Sequence, residues 1–232
     1  MRPYYPQYVQ YGTSENPFHD NDVVDHACEA LRTVGTEQPF FLFVGPLGPH
    51  DPYIPPQRFL DLYDPDEIEL PESFSDDMND KPALYRRTRD RYAQLTEAEH
   101  RESVRRYLAF CSYEDWQFGR LLDILEKRGL LDNTVVLYVS DHGESLGEGG
   151  LYLHGAPYFM APSEQIRVPM VMWLPKDWSR TFGFDAANLA REPAGGVTHE
   201  HLYSTVLGML GVQSTTRRPR WDLTDNRSSA AQ

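Results

Sequence analysis

Residues 136–169 read VLYVSDHGESLGEGGLYLHGAPYFMAPSEQIRVP. The run from Thr134 to Val139, rich in β-branched residues, breaks into Ser140, Asp141, His142 and Gly143, the pattern of a buried strand emerging into a loop. A carboxylate beside a neutral imidazole at a strand end can face one cation. This oxygen and nitrogen pair suits Zn²⁺ better than Ca²⁺, which prefers an all-oxygen shell. Gly143, Gly147, Gly149 and Gly150 keep bulk away, so the backbone is expected to approach an anionic group closely. His154 follows as a third polar anchor. An isolated Asp-His pair would be a helix cap or a surface pair; the glycine-rich loop and the third anchor set this one apart.

Upstream, Phe40 to Val44 is apolar and continuous, as in a strand covered on both faces, and ends at Gly45, Pro46, Gly48, Pro49, His50 and Asp51. If both strands belong to one parallel sheet, both His-Asp pairs emerge on the same edge, where open α/β sheets bind ligands. Between them the spacing predicts a long helix from about Thr96 to Arg128. Its stripe would be Val104, Leu108, Cys111, Asp115, Phe118, Leu122 and Leu125, with Asp115 needing a partner if it is buried. Strand, helix and strand then read as a crossover unit, and Val168 to Leu174 as a third strand.

The strings SDHGESLGE, GLYLHGAPY, APSEQ and VPMVMW, in this order and spacing, resemble the metal-binding segment of phosphoethanolamine transferases, members of the alkaline phosphatase and sulfatase superfamily. The earlier stretch PFFLFVGPLGPHDPYIPPQRFLDLYDPD is more similar to the sulfatase branch. The resemblance runs from Gln38 to about Asp225. It implies an α/β three-layer sandwich with a mostly parallel sheet. It also implies that Asp141 and His142 are metal ligands, and that His50 and His154 bind the transferred group or a second metal. Zn²⁺ is the implied ion, with Ca²⁺ as the alternative for a sulfatase.

The implied reaction is transfer of phosphoethanolamine to a lipid A or glycan acceptor. The alternatives are sulfuric ester hydrolysis and, in another class, a non-catalytic remnant that binds metal or a partner. The substrate would be a phospholipid or a sulfate ester. Such transferases lie at the periplasmic face of the inner membrane. The superfamily nucleophile is a Thr, or a formylglycine made from a C-x-P-S-R motif. Cys28 is followed by Glu29 and Ala30, and Cys111 by Ser112 and Tyr113, so neither fits, and no catalytic nucleophile is identified. The chain is therefore expected to be the C-terminal portion of one catalytic domain, spanning residues 1–232. Its partner would be a missing N-terminal half or membrane anchor.

Composition sets the outer bounds. A formal charge of −13 over 232 residues excludes the basic footprint that nucleic acid requires. No apolar run nears the length that spans a bilayer and the N-terminus has no signal-peptide pattern, so the chain by itself is expected to be soluble. Two cysteines make no disulfide framework. Residues 1–19 read as irregular. A helix is expected from Asp20 to Val34, capped by Asp20 or Asn21, with a solvated His26 and a core Cys28. The Pro- and Asp-rich insert at about 52–97 reads as a solvated excursion with short helical turns that could cover a site. Residues 178–196 lack periodicity, His199 opens a short helix, and the tail 217–232 is expected to be a surface fragment and then disordered.

Overall fold

The structure, a computed structural model, describes residues 12–177 and 196–225. The fold is α/β. Helices α1 (Asp20–Thr33), α2 (Gln57–Leu60), α3 (Ala83–Tyr92) and α4 (Glu97–Lys127) precede strands β1 (Val136–Val139), β2 (Ser145–Leu146) and β3 (Tyr152–Leu153). The chain continues through α5 (Ser163–Ile166), β4 (Met170–Trp173) and α6 (His199–Met209). Strand β1 pairs with β4, and β2 pairs antiparallel with β3. Within the expected domain two compact units are resolved: Met1–Leu131 with Leu137–Met172, and Asp132–Val136 with Trp173–Gln232.

Helix α4 starts where the sequence says it must. Thr96 and Glu99 form a reciprocal cap, with the Glu99 amide donating to Thr96 Oγ1 at 3.3 Å and the Thr96 amide donating to Glu99 at 2.7 Å. Gly129, at φ +65°, closes the other end. Val104 and Leu125 of the expected stripe are buried, but the middle of the buried face differs from it. Phe110, Tyr113, Glu114, Gln117 and Ile124 are buried, whereas Asp115 is exposed and Cys111 half-buried. Phe110 and Tyr113 pack with Phe59 and Leu60 of α2, while α1 lies along the same helix. Contact with both turns the covered face by about one residue, roughly 100°. That face carries Glu114 and Gln117, polar positions that a hydrophobic periodicity undercounts. Gln117 Nε2 donates to the Tyr113 hydroxyl at 2.7 Å and to Asn21 Oδ1 at 2.8 Å, which makes its burial affordable.

Helix α1 buries Val24, Ala27, Cys28 and Leu31, and His26 stays exposed, as expected. Its cap is another matter. His19, at φ +64°, occupies the N-cap without a side-chain cap bond to the helix backbone, its Nδ1 lying 3.0 Å from the Asp22 carboxylate instead. Asp20 instead reaches across to accept from the Leu47 and Gly48 amides at 2.8 and 2.9 Å.

The expected strand at residues 40–44 does not form a ladder among the described residues. Phe41 and Phe43 are 70% and 84% exposed. An unbroken apolar run becomes a strand only when neighbours cover both faces and take up its backbone groups, and none of the described elements does so. Residues 52–97 hold short turns, as composition suggested: α2, α3 and 3-10 turns at Pro65–Glu67 and Glu72–Ser75. Arg105 ties this excursion to α4 by donating to the carbonyls of Tyr63 and Leu60 at 2.7 and 3.0 Å.

In the second unit, α6 ends at Gly211, φ +65°. Residues 217–225 carry a 3-10 turn at Pro219–Trp221. The buried Asp222 carboxylate accepts from Arg217 Nε at 2.8 Å and from Thr224 Oγ1 at 2.6 Å, and it fixes the turn. Residues 1–11, 178–195 and 226–232 lie outside the described residues, and so do the expectations that fall on them.

Candidate functional site

Three imidazoles converge in the first unit. The His142 and His154 rings stack with centroids 3.9 Å apart; His50 lies edge-on to both, at 4.8 Å from His154 and 6.2 Å from His142. The sequence placed these residues on three loops, and the fold brings the loops together.

The β2–β3 hairpin explains the placement of His154. Its register pairs Ser145 with Leu153 and Leu146 with Tyr152, so the next step outward sets Glu144 opposite His154. Buried Gln165 braces this end, donating to Ser145 Oγ at 2.9 Å and to the Leu153 carbonyl at 3.0 Å. Beneath lies an aromatic cluster in which Tyr53 and Tyr152 are buried, with Tyr92 and Tyr107 against them. Burial raises the Tyr107 and Tyr152 phenols, so these rings support the hairpin as neutral groups.

His142 leaves β1 on a loop closed by Ser140 Oγ, which donates to the His142 carbonyl at 2.8 Å, and by the Gly143 amide, which donates to the Gln165 carbonyl at 2.9 Å. Gly143 is required by contact: a Cβ there would meet the Glu164 carbonyl oxygen at 2.0 Å. At Gly149 a Cβ would meet Met78 Sδ at 2.6 Å, a side chain that can move, and it is the backbone at φ +56° that favours glycine. These glycines were expected to admit a ligand. Gly143 and Gly149 also make room for the protein's own chain, Gly143 against α5 and Gly149 against the 52–97 excursion.

The hydrogen bonds preset the rings. His50 Nδ1 lies 2.6 Å from the Asp51 carbonyl oxygen and His142 Nδ1 lies 2.9 Å from that of Gly143. A carbonyl only accepts, so Nδ1 carries a proton in both rings, which leaves Nε2 to face a metal or a substrate. His154 directs Nδ1 to the Glu144 carboxyl, 3.3 Å from each oxygen. Burial lowers the His154 pKa, and the neighbouring His142 and His50 lower it further, so the ring is neutral at neutral pH. Glu144 is buried, and burial pushes its carboxyl up to about 8, with the Tyr53 hydrogen bond acting in the opposite direction.

One donor atom each from His50, Asp51 and His154 lie within 4.8 Å of one another. Two ligands of a tetrahedral zinc ion keep about 3.5 Å between them, so the three would close by roughly an ångström around one ion. Nitrogen and carboxylate donors fit zinc. Asp141, expected beside His142 as a ligand, has a 90% exposed side chain whose Oδ1 accepts from the His142 amide at 3.0 Å and lies 3.8 Å from His142 Nε2. Glu144 and Tyr53 were not anticipated. The hairpin register was the signal for Glu144, and it needs a strand pairing that two-residue strands barely announce.

The chain belongs to the Sulfatase family, whose model matches residues 1–212. It is similar to phosphoethanolamine transferase EptA of Salmonella typhimurium, 41% identical over 104 residues, which are 44% of this chain and 19% of that protein. It is also similar to an arylsulfatase of Clostridium perfringens, 30% identical over 195 residues, 83% of this chain and 37% of the relative. The chain thus spans well under half the length of the curated relatives it matches. Its fold is like that of a phosphonate monoester hydrolase from Silicibacter pomeroyi, with a TM-score of 0.65 at 20% identity over 92% of this chain and 40% of that one.

Proposed function

We propose that this chain supplies the metal- and oxyanion-binding part of an enzyme that transfers phosphoethanolamine to a lipid A or glycan acceptor. The convergence of His50, His142 and His154 beside Asp51 carries the reading. Identity of 41% to a phosphoethanolamine transferase supports the choice of reaction. Asp141 and His142 would hold one zinc ion together with ligands from the rest of the enzyme. His50 and His154 would hold the transferred phosphoryl oxygens or, with Asp51, a second ion. Zinc would lower the pKa of a nucleophile and offset charge on the ester oxygens. The imidazoles present Nε2 to the group, and Glu144 fixes the His154 ring.

The nucleophile and the remaining ligands would come from an N-terminal half, and the assembled enzyme would work at the periplasmic face of the inner membrane. No helix among the described residues is long and apolar enough to cross a membrane. Sulfuric ester hydrolysis is the second reading, favoured by the longer match to arylsulfatase. In that case Ca²⁺ would be the ion.

The test is a zinc titration of the chain and its His142→Ala and His154→Ala variants, followed by assay with a matching N-terminal half. Measurable zinc binding weakened by either substitution, and phosphoethanolamine release in the mixture, are expected. Sulfate release alone would move the assignment to the second reading. No zinc binding and no activity with any N-terminal half would leave a non-catalytic remnant.

A further inference from the structure

Behind the His50 loop lies a second pair of carboxyl groups, outside the imidazole cluster. Asp20, 1% exposed at the start of α1, accepts the Leu47 amide on one oxygen and the Gly48 amide on the other, at 2.8 and 2.9 Å. Glu114 of α4 is 9% exposed, and neither of its oxygens receives an N–H or O–H from a described group. It faces the Asp20 carboxyl and Gly48, where a Cβ would come within 2.2 Å of Oε1. Two residues beyond Gly48 stands His50, whose amide donates to the Leu47 carbonyl at 3.2 Å to close the turn.

A buried carboxylate without a donor beside another carboxyl is costly, and the cost is removed if one of them carries a proton. Chemistry says which. Asp20 has two N–H donors and acts as the acceptor; Glu114 has none and acts as the acid. We propose that Glu114 is a positioning residue for His50. As a neutral acid it donates its O–H to Asp20, which holds the Leu47 and Gly48 amides and thereby sets the turn that presents the His50 ring to His154. Burial and the proximity of Asp20 both raise the Glu114 carboxyl, to about 8. Gly48 is the closest approach in this relay, since any side chain there would displace the Glu114 head group. The positioning role rests on the reading of His50 as a member of the site, whereas the hydrogen-bond relay can be measured without any metal or substrate.

The experiment compares the intact chain with Glu114→Gln, which keeps a neutral donor, and Glu114→Leu, which keeps bulk and removes the donor. Amide hydrogen exchange at Leu47 and Gly48 should change less than about twofold in Glu114→Gln and accelerate about tenfold in Glu114→Leu, the loss of roughly one hydrogen bond. Amides of α6 serve as the control and should not change. At pH 7 the infrared spectrum of the unsubstituted chain should show, besides the band of the Glu144 acid, a second protonated carboxylic C=O stretch that Glu114→Gln removes. That band does not depend on whether Glu114→Leu folds. Equal exchange in the two variants, or absence of the band, overturns the relay. Failure to bind zinc with the relay intact would count against the proposed function alone.

Discussion

Each carboxyl oxygen of Glu144 lies 3.3 Å from Nδ1 of His154, across the end of the β2–β3 hairpin. The spacing is longer than the 2.7–2.9 Å or so of a charge-assisted bond. It fits a neutral ring beside a carboxyl that burial holds as an acid at neutral pH. The pairing fixes which imidazole nitrogen faces the cluster. Removing a partner that orients a ligating histidine costs about 10–100-fold in metal affinity. Glu144→Ala should therefore weaken zinc binding by about that factor in a competition titration, and Glu144→Gln by less. Equal affinity in the alanine variant would show that His154 needs no such support.

Gly143→Ala should destabilise the first unit by about 1–3 kcal/mol, the usual range for overpacking. The added methyl would meet the Glu164 carbonyl oxygen at 2.0 Å, and both partners are backbone, so no side-chain rotation can relieve the contact. Urea unfolding of the two proteins measures it. Gly155→Ala tests a different effect, because nothing lies within 4 Å of its Cβ position and only the backbone, at φ +103°, resists the change.

Elements whose signals are local were legible in the sequence. The cap of α4 at Thr96, the stop at Gly129 and the exit of β1 into Asp141 and His142 depend on a few neighbouring residues. The convergence of His50, His142 and His154 was legible because two strand ends were expected on one edge. The reason was only half right: β1 forms, but residues 40–44 pair with no described strand, and His50 is placed by the Asp20 clasp on its loop. That clasp joins residues more than two dozen positions apart, and no periodicity encodes it. Glu114 escaped notice for a related reason. The stripe put Asp115 on the covered face, and only the packing of α1 and α2 on α4 decides which of the two is buried.

Tyr152→Phe tests how the hairpin is supported. The Tyr152 hydroxyl and Nδ1 of His100 are 2.7 Å apart, and both residues are buried. Burial lowers the His100 pKa, so the ring is neutral and needs a hydrogen-bond partner rather than a counter-charge. Deleting the hydroxyl leaves that buried nitrogen unsatisfied, at a cost of about 1–3 kcal/mol. The loss should appear in urea unfolding, with faster amide exchange at Leu146 and Leu153. His100→Leu in the same background should recover part of the stability, since both polar partners are then gone.

Stability of the first unit should fall as pH rises from about 4.5 to about 8, and Glu114 and Glu144 both contribute. The folded chain keeps the Glu114 proton up to about pH 8, whereas the unfolded chain releases it near the ordinary value of 4.5. At Glu114 alone the native state binds one more proton across that window, so the free energy of unfolding decreases with pH and the contribution is fully present only below it. The titratable groups facing Glu114 are Asp20 on α1, Cys111 and Tyr113 on α4 and Tyr138 on β1. Burial raises the thiol to about 11 and Tyr113 to about 12, and it raises Tyr138 as well, so none of these three ionises within the window. Glu114→Gln cannot ionise. The stability difference between Glu114→Gln and the unsubstituted chain should therefore shift in favour of the variant on going from pH 5 to pH 8, in urea unfolding followed at both values. A difference independent of pH would mean that Glu114 releases its proton at the ordinary value despite its burial.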